Sequence, residues 1–128
     1  MAFRQLTLIL VDGILAVCGL EPDAPIPPWA TASSFFSITR TADELSVVCR
    51  QETVPEGIRA EHDWICLRVS DNVPFSVVGL LASLTGTMAE AGVSVFAIST
   101  FDTDYVLVKQ KDLAAAVEAL RGQGHSLV

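Results

Sequence analysis

From Trp64 to the C-terminus, apolar and polar positions change period in a regular order. "WICLRVS" (64–70) is a short apolar run of strand length, rich in Ile, Leu and Val. Val77, Leu80, Leu81, Leu84, Met88 and Ala91 then recur at helical spacing, with Pro74 suited to a first turn and Gly92 to the stop. Val93–Thr100 and Tyr105–Lys109 are again strand-like and frame a polar knot of Ser99, Thr100, Asp102, Thr103 and Asp104. Leu113, Ala116, Val117 and Leu120 predict a second helix, with Asp112 in its first turn and Gly122 and Gly124 beyond it. "HSLV" can close as an edge strand. The order is β-α-β-β-α-β, which lays two helices on one face of an antiparallel sheet and defines an α+β, ferredoxin-like module.

The first half carries the strands of that module without its helices. A shift of 59 places Leu6, Leu8, Leu10 and Asp12 on Ile65, Leu67, Val69 and Asp71. A shift of 60 places Phe36, Ile38, Leu45, Val47 and Val48 on Phe96, Ile98, Tyr105, Leu107 and Val108. Pro22, Pro25, Pro27 and Pro28 fill the place of the first helix, and Pro55 with Gly57 follows the last strand. Trp29 is expected to plug the space of the missing helix or to rim a pocket. The reading is a tandem array: residues 1–60 a degenerate module of mostly strands, residues 61–128 a complete one.

Asp12-Gly13, between Leu8–Val11 and Ile14–Val17, predicts a hairpin, because a two-residue type I′ turn needs positive φ twice. The same region admits a second reading. Arg4 precedes an apolar stretch and "LAVC" ends at Cys18 in the manner of a lipoprotein leader, but Asp12-Gly13 interrupts the apolar core and Val17 is large for a cleavage site. The hairpin is preferred. No run is long enough to span a membrane, so no membrane partner is expected.

Composition narrows the function. With 128 residues and 51% hydrophobic content the chain can bury a core unaided. Eight Lys and Arg against fifteen Asp and Glu give a net charge of −7, with the basic residues scattered, so nucleic acid is an unsuitable partner. Cys18, Cys49 and Cys66 lie in apolar runs without metal-ligand spacing and read as free, buried thiols of a cytoplasmic protein. No nucleophile motif, phosphate loop or metal cluster is present, so no catalytic residue, metal or cofactor is assigned and the chain is read as a non-enzyme. "EHD" at 61–63 reads as a solvated linker and His125 as a surface residue. Asp102-Thr103-Asp104 on its own reads first as a solvated hairpin turn, and a lone pair of carboxylates without further ligands is weak ground for a metal site. An enzyme built from Asp102, Asp104 and His62 is the weakest of the readings.

At "SDNVPFSVVGLLASLTGTMAEAGVSVFAISTFDTDYVLVKQKDLAAAVEAL" the chain resembles the ACT domain, a ligand-binding regulatory module of amino-acid-controlled enzymes and sensors. The branch it is most similar to is the small stand-alone ACT proteins of bacteria, akin to the ACT repeats of the animal cytosolic arginine sensors. The resemblance is carried by "AGVSVFAISTFDTDYVLVKQKDL", covers residues 64–128 well and is loose before them; many ACT domains have Pro-Gly where this chain has Pro74-Phe75. It implies ligand contacts at Ser94 and Val95 on one strand and at Ser99, Thr100, Phe101 and Asp104 around the hairpin, in a pocket formed where two ACT modules meet. Chemistry suits these residues. Asp104 can accept charge-assisted hydrogen bonds from an ammonium, and backbone N–H groups at Asn72, Val73, Pro74, Phe75 and Ser76, proline excepted, precede a helix and can take a carboxylate. Phe101 can cover an apolar stem or stack on a guanidinium. The expectation is a cytoplasmic homodimer that binds a small molecule, an amino acid, and transmits its presence to an unidentified protein target. The alternative is a structural or interaction module whose pocket has decayed.

Overall fold

The computed structural model describes residues 5–70 and 79–128. Contacts group the chain into two units, Met1–Asp12 with Ile65–Val128, and Gly13–Trp64. The division expected at residue 60 falls inside strand β5, which the two units share.

The larger unit contains β1 (Thr7–Leu10), the second half of β5 (Ala60–Val69), α1 (Leu80–Glu90), β6 (Val95–Ser99), β7 (Asp104–Lys109), α2 (Leu113–Gly122) and β8 (Ser126–Leu127). Its strands run β8-β1-β5-β7-β6. β1 is antiparallel to β5, with Leu8 opposite Val69 and Leu10 opposite Leu67, and β8 joins β1 in parallel as an edge. Residues Trp64–Leu67 of β5 are buried without alternation, the pattern of a strand covered on both faces. The core gathers Leu6 and Leu8, Leu67 and Val69, Leu80, Leu84 and Met88 of α1, Val106 and Val108, and Ala116 and Leu120 of α2. The buried stripe of α1 thus repeats every four residues, as the periodicity predicts; Leu81 is at its margin, and Ala91 lies past the helix end and is exposed. Gly92, at φ +73, supplies the expected stop. Pro74 and Val77 lie outside the described residues.

The smaller unit contains β2 (Leu15–Leu20), β3 (Ser37–Arg40), β4 (Leu45–Arg50) and the first half of β5, in the order β3-β4-β2-β5. It holds no α-helix. A 3₁₀ turn, Pro28–Thr31, stands in for the first helix, burying Ala30 and packing Trp29 against Ala16, Cys18, Leu45, Val47 and Cys49. Arg40 binds the proline-rich segment by donating to the carbonyls of Pro22 and Ala24. The prolines exclude a helix and the Trp fills the volume one would have occupied.

Three expectations are corrected. Asp12-Gly13 closes no hairpin: β1 and β2 are not partners, and each pairs antiparallel with β5. Only Gly13 (φ +93) has positive φ there, where a type I′ turn needs two such residues, and the space its missing Cβ leaves is occupied by the Arg50 side chain. Secondly, the first strand of the smaller unit is β2 rather than Leu6–Asp12, because Leu6 and Leu8 belong to the core of the other unit. The β3–β4 and β6–β7 hairpins do correspond, but at a shift of 59 rather than 60, which sets buried Val47–Cys49 on buried Val106–Val108. Lastly, "EHD" is no linker. It lies within β5, where Asp63 takes φ +67 and is held by Gln51, whose Nε2 donates to Asp63 Oδ1 at 3.0 Å while Oε1 accepts from the Asp63 amide at 2.6 Å.

Among the described residues no helix is long and apolar enough to cross a membrane. The three cysteines are free and buried, as expected.

Candidate functional site

The β6–β7 hairpin pairs in register from Val95 opposite Val108 to Ser99 opposite Asp104. Four residues, Thr100–Thr103, make its loop, and their polar side chains close it. The Thr100 amide donates to the Thr103 carbonyl at 2.8 Å. The Thr100 hydroxyl donates to that same carbonyl at 3.0 Å and accepts from the Thr103 amide at 3.2 Å. Side-chain hydroxyls that bond the local backbone in this way favour a turn over continued strand. The Thr103 hydroxyl then reaches out of the loop and donates to the Val69 carbonyl at 2.6 Å, which ties the loop to the end of β5.

Beside this closed loop, the Ser99 hydroxyl donates to Asp104 Oδ1 at 2.5 Å. The pair faces across the ladder at its last rung, so the carboxylate is oriented without a cation having been used to do it. Phe101, at the tip, is 85% exposed. The loop therefore presents an oriented carboxylate, hydroxyls and an exposed aromatic face over one short span, a set that can receive an ammonium or guanidinium and cover an apolar stem.

Ser99, Thr100, Phe101 and Asp104 are thus brought together. Ser94 and Val95 are not with them: they sit at the other end of β6, about 13 Å away along the strand at the usual rise per residue. Ser94 is exposed and Val95 half-buried against the core. One small ligand cannot touch both groups within one module. Asn72, Val73, Pro74, Phe75 and Ser76 lie outside the described residues. Asp102 is exposed at the loop, and among the described residues no three His, Cys, Asp or Glu side chains are placed to hold a metal ion.

Sequence reasoning missed two features. Thr103 was visible only as part of the polar knot; its bond to Val69 depends on strand order, which periodicity does not supply. His125 is buried rather than superficial, and its Nδ1 accepts the Leu6 amide at 3.0 Å, joining the C-terminal edge to the segment before β1. Burial lowers its pKa below the ordinary 6.5.

A family model described as the ACT domain matches residues 59–122, half of the chain. The chain belongs to the ACT domain family. A second family model, of an N-terminal domain, matches residues 13–57, close to the smaller unit. Among solved structures, the Agrobacterium tumefaciens protein Atu0741 is 33% identical, with TM-score 0.93 over 98% of this chain and 94% of that one. The regulatory subunit of aspartate kinase from Thermus thermophilus, 12% identical, shares the fold at TM-score 0.64 over 91% of this chain and 96% of its own. The human cytosolic arginine sensor for mTORC1 subunit 1 is 29% identical over 104 residues, 73% of this chain. The chain spans between 31% and 65% of the length of the curated relatives it matches. Its fold is the α+β, tandem ACT arrangement with a helix-poor first unit.

Proposed function

We propose that this chain is a non-catalytic regulatory protein that binds a free amino acid through the β6–β7 hairpin of its complete ACT module. One observation carries the reading: the hairpin is closed by its own threonines, pinned to β5, and leaves the Asp104 carboxylate oriented by Ser99 beside an exposed Phe101. A preorganised acceptor of this kind loses little freedom when an ammonium docks, and that freedom is a main cost of binding. The separation of Ser94 and Val95 from the hairpin supports a pocket made by two copies of the chain, one supplying the strand and the other the hairpin, so the ligand-bound form is a homodimer. Ligand binding would favour that geometry over others by the difference in affinity between them. A partner protein that reads the geometry completes the regulatory role.

The human relative is named as an arginine sensor, and the acidic hairpin suits a cationic side chain, so arginine heads the order of testing. The experiment is a thermal-shift screen of the chain and of Asp104→Ala against the twenty amino acids. At a hundredfold excess over Kd a ligand adds about 2.7 kcal/mol, which for a chain of this size raises Tm by about 5 to 15 °C. A rise with one or a few related amino acids, cut back in a folded Asp104→Ala, is the expected result. A flat screen with both proteins folded contradicts the reading and favours a module that docks a protein through a decayed pocket.

A further inference from the structure

We propose that the smaller unit carries a second binding site for an amino-acid zwitterion, centred on Arg59 and distinct from the hairpin. Gly19 lies inside β2, where glycine weakens a strand and marks close approach of another group. The approaching group is the Arg59 side chain: a Cβ on Gly19 would stand 2.7 Å from Nη2 and 3.2 Å from Cζ and Nε. The two residues are also joined through the backbone, the Gly19 amide donating to the Arg59 carbonyl at 3.0 Å.

Alternation along β2 sends Ala16 and Cys18 to the core and leaves Val17 and Gly19 on the opposite face. On that face Gly19 stands opposite Ser46 of β4, and Val17 opposite Glu61 of β5. Val17, Gly19, Glu44, Ser46, Arg59 and Glu61 line an open groove of about 350 Å³, which is near the lower end of the roughly 300–1,000 Å³ of small-molecule sites. All of them lie within the smaller unit.

The charges in the groove select the ligand. Arg59 offers a planar fork of N–H donors that matches a carboxylate. Glu44 and Glu61 repel a plain anion such as phosphate, and Arg59 repels a plain cation. A molecule with a carboxylate for Arg59 and an ammonium for Glu44 satisfies both, Ser46 adds a neutral hydroxyl, and Glu61 adds negative charge to the same side of the groove. The alternative role for Arg59 is to fill the gap over Gly19 and nothing more.

The site does not depend on the hairpin reading, and the test is made in the Asp104→Ala background to keep the two apart. An amide NMR titration with each of the twenty amino acids is expected to give saturable shifts at Val17, Gly19, Ser46, Ala60 and Glu61. Arg59→Gln should raise Kd about tenfold, the loss of one charge-assisted hydrogen bond. Arg59→Lys, which keeps the charge without the fork, should fall between the two and carries the comparison if the Gln variant does not fold. A diamine lacking the carboxylate should give no saturable shift. Absence of saturable shifts at these amides up to the solubility limit of every amino acid, or equal shifts in wild-type and Arg59 variants, overturns the proposal and leaves Arg59 as a gap filler.

Discussion

His125 shows how a single side chain can link the chain's ends to pH. Its imidazole is buried and serves as an acceptor for the Leu6 amide, a role that only an unprotonated Nδ1 can perform. Its folded pKa is depressed by burial, so the unfolded chain takes up the proton first as pH falls. Its contribution to stability is therefore full above pH 6.5 and is lost as pH falls from there through the folded pKa. Urea denaturation at pH 7.5 and at pH 5 is expected to show lower stability at the acid end, with a smaller difference in His125→Asn. Equal differences in the two proteins would contradict the assignment.

The cysteines give a second residue-scale expectation. Burial pushes the Cys66 thiol up to about 12. In the core of the smaller unit, Cys18 hydrogen-bonds to Cys49, which holds the Cys18 thiol well above its ordinary value and draws Cys49 below its own. The Thr53 hydroxyl also donates to Cys49 Sγ, at 3.7 Å. A thiolate at Cys49 would be reactive if reached, but its side chain has no exposed surface. Titration of the native protein with an aromatic disulfide reagent is expected to be slow at all three cysteines and fast in denaturant; rapid labelling of Cys18 or Cys49 in the native fold would show that the smaller unit opens readily.

At the scale of elements, α1 rests on Leu80, Leu84 and Met88. Leu84→Ala removes a fully buried side chain from the larger core and is expected to cost about 2–5 kcal/mol, read as a lower urea midpoint at unchanged slope. Ala89→Ser, on the exposed face, should leave the midpoint nearly unchanged. These helices were legible because a buried stripe at helical spacing leaves its period in the sequence. The two hairpins were legible as apolar runs of strand length on either side of a short polar loop, and Trp29 with the prolines announced the missing helix. Pairing was not legible. Asp-Gly promises a hairpin locally, yet β1 finds a better partner in β5, and a contact from Leu8 to Val69 leaves no local trace. The match between β3–β4 and β6–β7 slipped by one because consecutive buried residues, such as Val47–Cys49, erase the alternation that fixes register. In the candidate site, the hydroxyl-rich loop was visible as composition, and its meaning came from the resemblance. The Thr103 bond to Val69 and the Arg59 contact with Gly19 needed the strands in place.

At the scale of the whole molecule, the two units differ in how they are built. One has both helices, a core that runs from Leu6 to Leu120, and a hairpin whose polar groups are spent on fixing its own shape around Asp104. The other has given up its helices and closes over Trp29. In the shared pocket proposed above, two copies of the complete module would bring Ser94 and Val95 of one to the hairpin of the other, and ligand affinity and association would be linked quantities. Sedimentation of the chain with and without its amino acid is expected to shift toward the dimer on addition, and an assembly state indifferent to a ligand that binds at the hairpin would argue against a shared pocket.

The measurement that tests the account most directly is an amide NMR titration of the wild-type chain with the amino acids, arginine first. The account predicts saturable shifts at Ser94, Val95, Ser99, Thr100, Phe101 and Asp104, cut back together in a folded Asp104→Ala. No shift at these residues with any amino acid, or shifts that survive Asp104→Ala unchanged, would contradict it.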